Sequence, residues 1–273
     1  MKVFLANNCG LGDYILMNGA TRYIAAQPDV EHVDLLCLSN HNKFMNVKWM
    51  YRDNPNITVH GEPCHGGTYR DARKKIKSRG KAFKNSEHRV FFWEENIWRE
   101  NMLRFGLDPD EKNCWPELFY ELHQVPFSTR HEYFYVERDK AKEEELFEKL
   151  NLPSKYALCI DRTLFLNFNF TPDTNLPVFK LSDRSDIVSE SSETIWDWMT
   201  VVERASEVHT IDTSWFHFLK SMKLEQPKYY YHYRDTTVAM NIRTSKYIND
   251  EYDNGWQIID DKSVLDSLKQ NNL

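Results

Sequence analysis

Two short stretches carry residue types suited to chemistry on an anionic substrate. The first, NNCGLGDYILMNG from Asn7 to Gly19, follows a strand pattern, Lys2 to Ala6, and places Gly10, Gly12 and Asp13 at the start of a helical pattern. A dinucleotide fingerprint would need a third glycine at position 15, where close helix–strand packing demands it, and Ile15 stands there. Asp13 would also repel a pyrophosphate seated on that helix start. The turn therefore offers an acid. The second stretch, VHTIDTSWFHFLK from Val208 to Lys220, runs from a strand pattern into Asp212, Thr213 and Ser214, with His217 three residues on. Hydroxyls and free amides meeting at a helix start make an anion site for phosphates. The same residue types are what an N-cap requires, and His217 also suits a core. Arg162, ending another strand, adds a guanidinium able to grip phosphate bidentately.

The elements that must hold these residues alternate between strand and helix. Lys2 to Ala6, His32 to Cys37, Ile57 to Val59 and His88 to Trp93 read as strands, with a helix from Tyr14 to Ala26 and another from Glu94 to Phe105. The pattern restarts near Ser128. Strands are expected at Tyr133 to Val136, Lys155 to Ile160, Val178 to Leu181, Val208 to Ile211 and Lys228 to Tyr233. Helices are expected from Asp139 to Leu150, Glu193 to Ser206 and Ser214 to Met222, and the Asn-, Phe- and Pro-containing stretch Thr163 to Pro177 reads as a long loop. Such alternation implies parallel sheets with right-handed crossovers. The fold class is α/β, with two Rossmann-like domains in series and a cleft between them. Residues 1–128 are expected to form the first domain and 129–250 the second.

Composition bounds the function. The 273 residues are 41% hydrophobic and 28% charged, as in a globular protein, and no apolar run reaches the length of a membrane span. A cytoplasmic protein without membrane insertion is expected. Five scattered cysteines with no C-x-x-C pair argue against a disulfide framework or zinc ribbon, and His60, Cys64 and His65 suit a loop better than a metal site. The net charge of −6 conceals a segregation. Between Arg70 and Lys84, eight cations (among them Arg70, Arg73, Lys74, Lys75, Lys77 and Arg79) face Asp71 alone. That local +7 leaves −13 for the rest of the chain, a distribution suited to gathering an anionic partner or to a solvated helix. Asp108-Pro109-Asp110 has the D-x-D spacing of a metal-dependent sugar transferase, but its central proline suits a turn.

A first strand with G-x-G-D opening a helix (Gly10 to Asp13), and a later strand ending in D-[ST]-S with a histidine three residues on (Asp212 to His217), resemble the heptosyltransferase-type branch of the GT-B glycosyltransferases. The order of elements is similar over nearly the whole chain, and the resemblance implies that 251–273 form a tail crossing back to the first domain. Trp215 stands where that branch has a small residue, and Arg162 where it has a lysine. The resemblance implies an acceptor side in the first domain, a nucleotide-sugar site in the second, and no metal or other cofactor. It makes Asp13 the catalytic acid of the turn, and Thr213, Ser214 and His217 part of the diphosphate-binding segment. Arg162 and Asp212 join them on the donor side, with Ser182 and Asp183 as further nucleoside contacts; Gly10, Gly12 and the basic run fall on the acceptor side.

The chemistry agrees with the residues. Transfer of a sugar to a hydroxyl needs a base for the proton and a cationic or dipolar site for the departing diphosphate, and direct displacement with one base inverts the sugar carbon. The expected activity is an inverting, metal-independent glycosyltransferase acting on an anionic acceptor. Hydroxymethylated DNA is narrowly favoured, as in bacteriophage DNA-modifying enzymes of this architecture, which would act in the host cytoplasm. The alternatives are a phosphorylated glycan or lipopolysaccharide core as acceptor, a sugar-nucleotide epimerase, and a non-catalytic nucleotide- or nucleic-acid-binding module. The sequence does not fix the oligomeric state.

Overall fold

The computed structural model describes residues 1–7, 10–39, 43–63, 78, 88–93, 120, 123–161, 170–184, 194–211, 213–231 and 255–259. The chain divides into two units, Met1–Glu137 and Arg138–Leu273. The division falls after the stretch expected to begin the second domain.

In the first unit, β1 (Lys2–Asn7), β2 (His32–Ser39), β3 (Ile57–Pro63) and β4 (His88–Trp93) form a parallel sheet in the order β3-β2-β1-β4. The central strand is buried on both faces, with Val3, Phe4, Leu5 and Ala6 each 1% exposed, which is why it reads as an unbroken apolar run. Between β1 and β2 the expected single helix is two, α1 (Leu11–Leu16) and α2 (Asn18–Ala25), meeting at Met17. The buried Asn18 side chain leaves this helix to bond both backbone groups of Tyr135, its Oδ1 accepting from the Tyr135 N–H at 3.0 Å. That contact corrects another expectation. Tyr133 to Val136 is not a strand; α4 (Thr129–Glu132) precedes it, and the asparagine side chain takes the place of a strand partner. Helix α3 (Lys43–Met50) has no counterpart in the sequence reading. Helix α4 lies against α2, where an added Cβ on Gly19 would come within 2.4 Å of the Thr129 carbonyl oxygen.

The second unit begins with α5 (Lys140–Leu150), whose N-cap Asp139 accepts from the Lys142 N–H at 3.2 Å. Its parallel sheet comprises β5 (Ala157–Ile160), β6 (Val178–Lys180), β7 (Glu207–Ile211), β8 (Lys228–Tyr231) and β9 (Trp256–Ile259), in the order β6-β5-β7-β8-β9. A 3-10 turn, Leu181–Arg184, follows β6. The expected helix from Glu193 to Ser206 is a 3-10 turn, Ile195–Trp198, continued as α6 (Met199–Arg204), and α7 (Ser214–Ser221) follows β7. Within the stretch expected as a tail, Trp256 to Ile259 form β9 and pair with β8, and Trp256 packs on Phe216 of α7 with ring centroids 5.1 Å apart. Residues 260–273 lie outside the described residues, as do the expected helix Glu94 to Phe105 and Asp108-Pro109-Asp110.

Candidate functional site

In an open parallel sheet a ligand site lies beyond the carboxyl ends of the strands, where the connections diverge. Each unit has one such point. In the first, the chain leaves β1 towards β2 and β3 and returns on the other side as β4, so the divergence lies between β1 and β4. In the second it lies between β5 and β7.

The residues after β1 are those the sequence singled out. Gly10 is the exposed N-cap of α1, in extended conformation at φ −73°, so no glycine-only geometry is needed there. Its N–H donates to Asp13 Oδ2 at 2.8 Å. Asp13 is thus the third residue of the helix, bonding back to the cap, and not the cap itself. Glycine has no side chain to return that bond, so only the aspartate's half of a capping box is present. Gly12 is buried inside α1, and Asp13 is half-buried. The acid is thereby held by its own helix at the divergence point, a position from which a carboxylate can take a proton.

Lys43, the first residue of α3, was not legible in the sequence. It is buried at 9% exposure, and its Nζ lies 5.7 Å from the Tyr14 ring centroid. Burial pushes the nearby Cys37 thiol up to about 11, against the pull of the Lys43 charge. A cation therefore stands near the carboxyl end of β2. His60, set aside as a ligand, shares a 2.7 Å contact between its Nε2 and Asp34 Oδ1. Among the described residues, no group of three His, Cys, Asp or Glu side chains is arranged to hold a metal ion. Cys37 and Cys159 are buried thiols not joined in a disulfide.

In the second unit, Thr213 is the N-cap of α7, its Oγ1 accepting from the Trp215 N–H at 3.1 Å. Both readings of the motif meet in this one atom, because a hydroxyl that accepts a capping bond still carries a proton to donate. Ser214 opens the helix, and Ser214 and His217 are half-buried. Below this start the helix is anchored by Phe216, fully buried against Tyr230 at 4.7 Å, while Trp215 packs edge-on to Trp198 at 5.7 Å. The first turn is thus fixed, and its amides present the positive end of the helix dipole at the divergence point.

Ser182 behaves differently from expectation. Its N–H donates to Asp161 Oδ1 at 3.0 Å and its hydroxyl to Asp161 Oδ2 at 2.6 Å, so the serine also serves a carboxylate of its own chain. Asp161 follows β5 directly, is 2% exposed, and was passed over in favour of its neighbour Arg162. Asp183 lies in the same 3-10 turn. Arg162, Asp212 and the basic residues Arg70, Arg73, Lys74, Lys75, Lys77 and Arg79 lie outside the described residues.

No protein-family model matches the chain, and no curated protein matches it in sequence. Solved structures do. A glycosyl transferase of family 9 from Veillonella parvula is similar over 99% of this chain and 90% of its own, with a TM-score of 0.55 at 11% identity. The ADP-heptose LPS heptosyltransferase II of E. coli is similar over all of both chains, with a TM-score of 0.55 at 12% identity. The fold is GT-B. At such identities the likeness is one of architecture: mixed α/β with parallel sheets, as the sequence implied. Among the described residues no helix is long and apolar enough to cross a membrane.

Proposed function

We propose that this chain is an inverting glycosyltransferase that moves a sugar from a nucleotide-sugar donor to an acceptor hydroxyl. One observation carries the proposal: in a chain of GT-B fold, the divergence point of one sheet bears a helix-held carboxylate, Asp13, and that of the other a hydroxyl-capped helix start, Thr213–Ser214. The acceptor oxygen attacks the anomeric carbon as the bond from that carbon to the diphosphate oxygen breaks. Asp13 takes the acceptor's proton, and the charge developing on the departing nucleoside diphosphate is met by the amides of α7 with the Thr213 and Ser214 hydroxyls. Attack opposite the leaving group inverts the carbon. No step calls for a metal.

The fold neighbour named as an LPS heptosyltransferase favours a phosphorylated glycan of the lipopolysaccharide-core type as acceptor, in the cytoplasm where nucleotide sugars are made. The basic run from Arg70 to Lys84 fits such an anion. The test pairs a panel of nucleotide sugars with phosphorylated core oligosaccharides and, separately, hydroxymethylated duplex DNA. Transfer to the oligosaccharide is expected, with release of nucleoside diphosphate. Asp13→Asn should fold normally, since its amide oxygen can still accept from Gly10, yet transfer about 10²- to 10⁴-fold more slowly. An Asp13→Asn protein as active as the wild type refutes the mechanism. Transfer to DNA alone would reassign the acceptor, and sugar-nucleotide conversion without any acceptor would make the protein an epimerase.

A further inference from the structure

The carboxyl rim of the second sheet contains a buried charge to which the proposed mechanism gives no role. Asp161 lies one residue beyond the register pair of Ile160 with Thr210, so it stands on the β5 side of the divergence point whose β7 side leads into Thr213 and Ser214. A carboxylate here is unexpected beside a site for a diphosphate, because two anions sharing one rim repel each other. What distinguishes Asp161 is where its oxygens are engaged. Both are bonded to Ser182, through the backbone N–H at 3.0 Å and the hydroxyl at 2.6 Å, and Ser182 belongs to the turn after β6, on the other side of β5 from β7. Charge-assisted bonds of this length are strong, and two from one residue fix direction as well as distance.

We propose that Ser182 and Asp161 form an electrostatic latch: the serine holds the buried carboxylate towards β6 and so keeps its charge away from a nucleoside-diphosphate site at the start of α7. The latch rests on the donor-site assignment above and adds to it two positioning residues that need not touch the donor. It also gives Ser182 a role other than the direct nucleoside contact expected of it. Among the described residues, loss of the hydroxyl leaves the backbone N–H of Ser182 as the bond to Asp161, and the freed oxygen can swing towards β7. A unit charge roughly 8 Å from a diphosphate, at an effective dielectric of about 40, opposes it by about 1 kcal/mol per phosphate charge, so a swing that shortens the separation by about 1.5 Å weakens binding about two- to threefold.

The latch predicts a rescue that a purely structural role would not produce. Binding of ADP, GDP, UDP and dTDP is measured by calorimetry, well below the melting temperature of each variant. For whichever nucleotide the wild type binds, Ser182→Ala should bind two- to threefold more weakly, and the double variant Asp161→Asn/Ser182→Ala should bind at least as tightly as the wild type. Asp161→Asn alone, which removes the charge and keeps the shape, should bind at least as tightly as the wild type; it decides the matter should the alanine variants fail to fold. Ser182→Ala binding as well as the wild type, a double variant no tighter than Ser182→Ala, or Asp161→Asn weaker by more than threefold each overturns the latch and leaves the donor site standing. A wild type that binds none of the four overturns the donor assignment, and the latch with it.

Discussion

Replacing Arg138 by alanine should be among the most destabilising single changes in the second unit. Arg138 is the first residue of that unit, and its guanidinium grips Glu143 through Nε to Oε1 at 2.8 Å and through Nη2 to Oε2, while Nη1 and Nη2 reach Glu203, the latter at 2.9 Å. The two carboxylates differ in what they stand to lose. Glu203 is 44% exposed, and its pair contributes at most about 1 kcal/mol. The Glu143 side chain is 1% exposed, on the inner face of α5, and stripping a buried carboxylate of its guanidinium costs about 3–5 kcal/mol. Two groups soften the loss: the Thr200 hydroxyl, which donates to Glu143 Oε2 at 2.7 Å, and Lys140 at 3.7 Å. The expected net is about 3 kcal/mol, or a fall of about 10 °C in the melting temperature of a unit of this size. Urea denaturation followed by tryptophan fluorescence measures it. Because the cost arises from an orphaned charge, adding Glu143→Gln to the Arg138→Ala protein should restore part of the loss. The pH dependence gives a second check. The hydrogen bond from Arg138 holds the Glu203 carboxyl below its ordinary value of 4.5, so its contribution is complete above that value and is lost as the pH falls through the lowered one. In Arg138→Ala, the Glu203 carboxyl should titrate closer to 4.5 by NMR. A loss under about 1 kcal/mol, or a double variant less stable than the single, refutes this account of the ion network.

Gly19→Ala should destabilise the first unit by about 2–4 kcal/mol, since the added methyl would meet the Thr129 carbonyl at 2.4 Å and Arg130 Cα at 2.6 Å, both backbone atoms that cannot turn aside. Normal stability in denaturation would show that α2 and α4 do not pack so closely. His209 supplies a pH effect. It is 1% exposed, its ring stacked on Tyr229 at 4.5 Å and its nitrogens near Tyr231 and Glu207. Burial holds its pKa below the ordinary 6.5, against the opposing pull of Glu207, so the folded state favours the neutral ring. The stability this confers is complete above 6.5 and is lost as the pH falls from there to the lowered value. Melting curves between pH 7.5 and 5 should slope less in His209→Gln than in the wild type, and equal slopes would remove His209 from the acid response.

Much of the scaffold was legible because its signals are local. β1 and β5 sit in the interior of their sheets, so their apolar runs announce them, and the cap of α7 declares itself in three consecutive residues. Helix α3 stayed hidden for a definite reason. Its buried positions, Lys43, Asn46, Val47 and Met50, fall at helical spacing, but two are polar, and a hydrophobic pattern cannot reveal a face built from a lysine and an asparagine. The segment Tyr133 to Val136 failed the other way. Its aromatic and β-branched residues are those of a strand, and nothing local tells that its partner is a side chain 117 residues earlier, Asn18.

The two acids at the rims of the two sheets divide along the same line. Asp13 makes its defining bond three residues back along the chain, to Gly10, so a short motif contains both the carboxylate and the group that orients it. The bonds of Asp161 come from Ser182, 21 residues later and across a strand boundary, and in the sequence the two read as unrelated, one overlooked beside Arg162 and the other taken for a ligand contact. Yet both bonds perform one task, fixing the direction of a carboxylate at the carboxyl rim of a parallel sheet. In the proposed transferase, Asp13 must be placed where a proton is released, whereas Asp161 must be kept from where negative charge accumulates. Removing the first acid should therefore slow transfer, and neutralising the second should leave donor binding intact; opposite responses from two aspartates at equivalent rims would locate the two halves of the reaction on the two sheets.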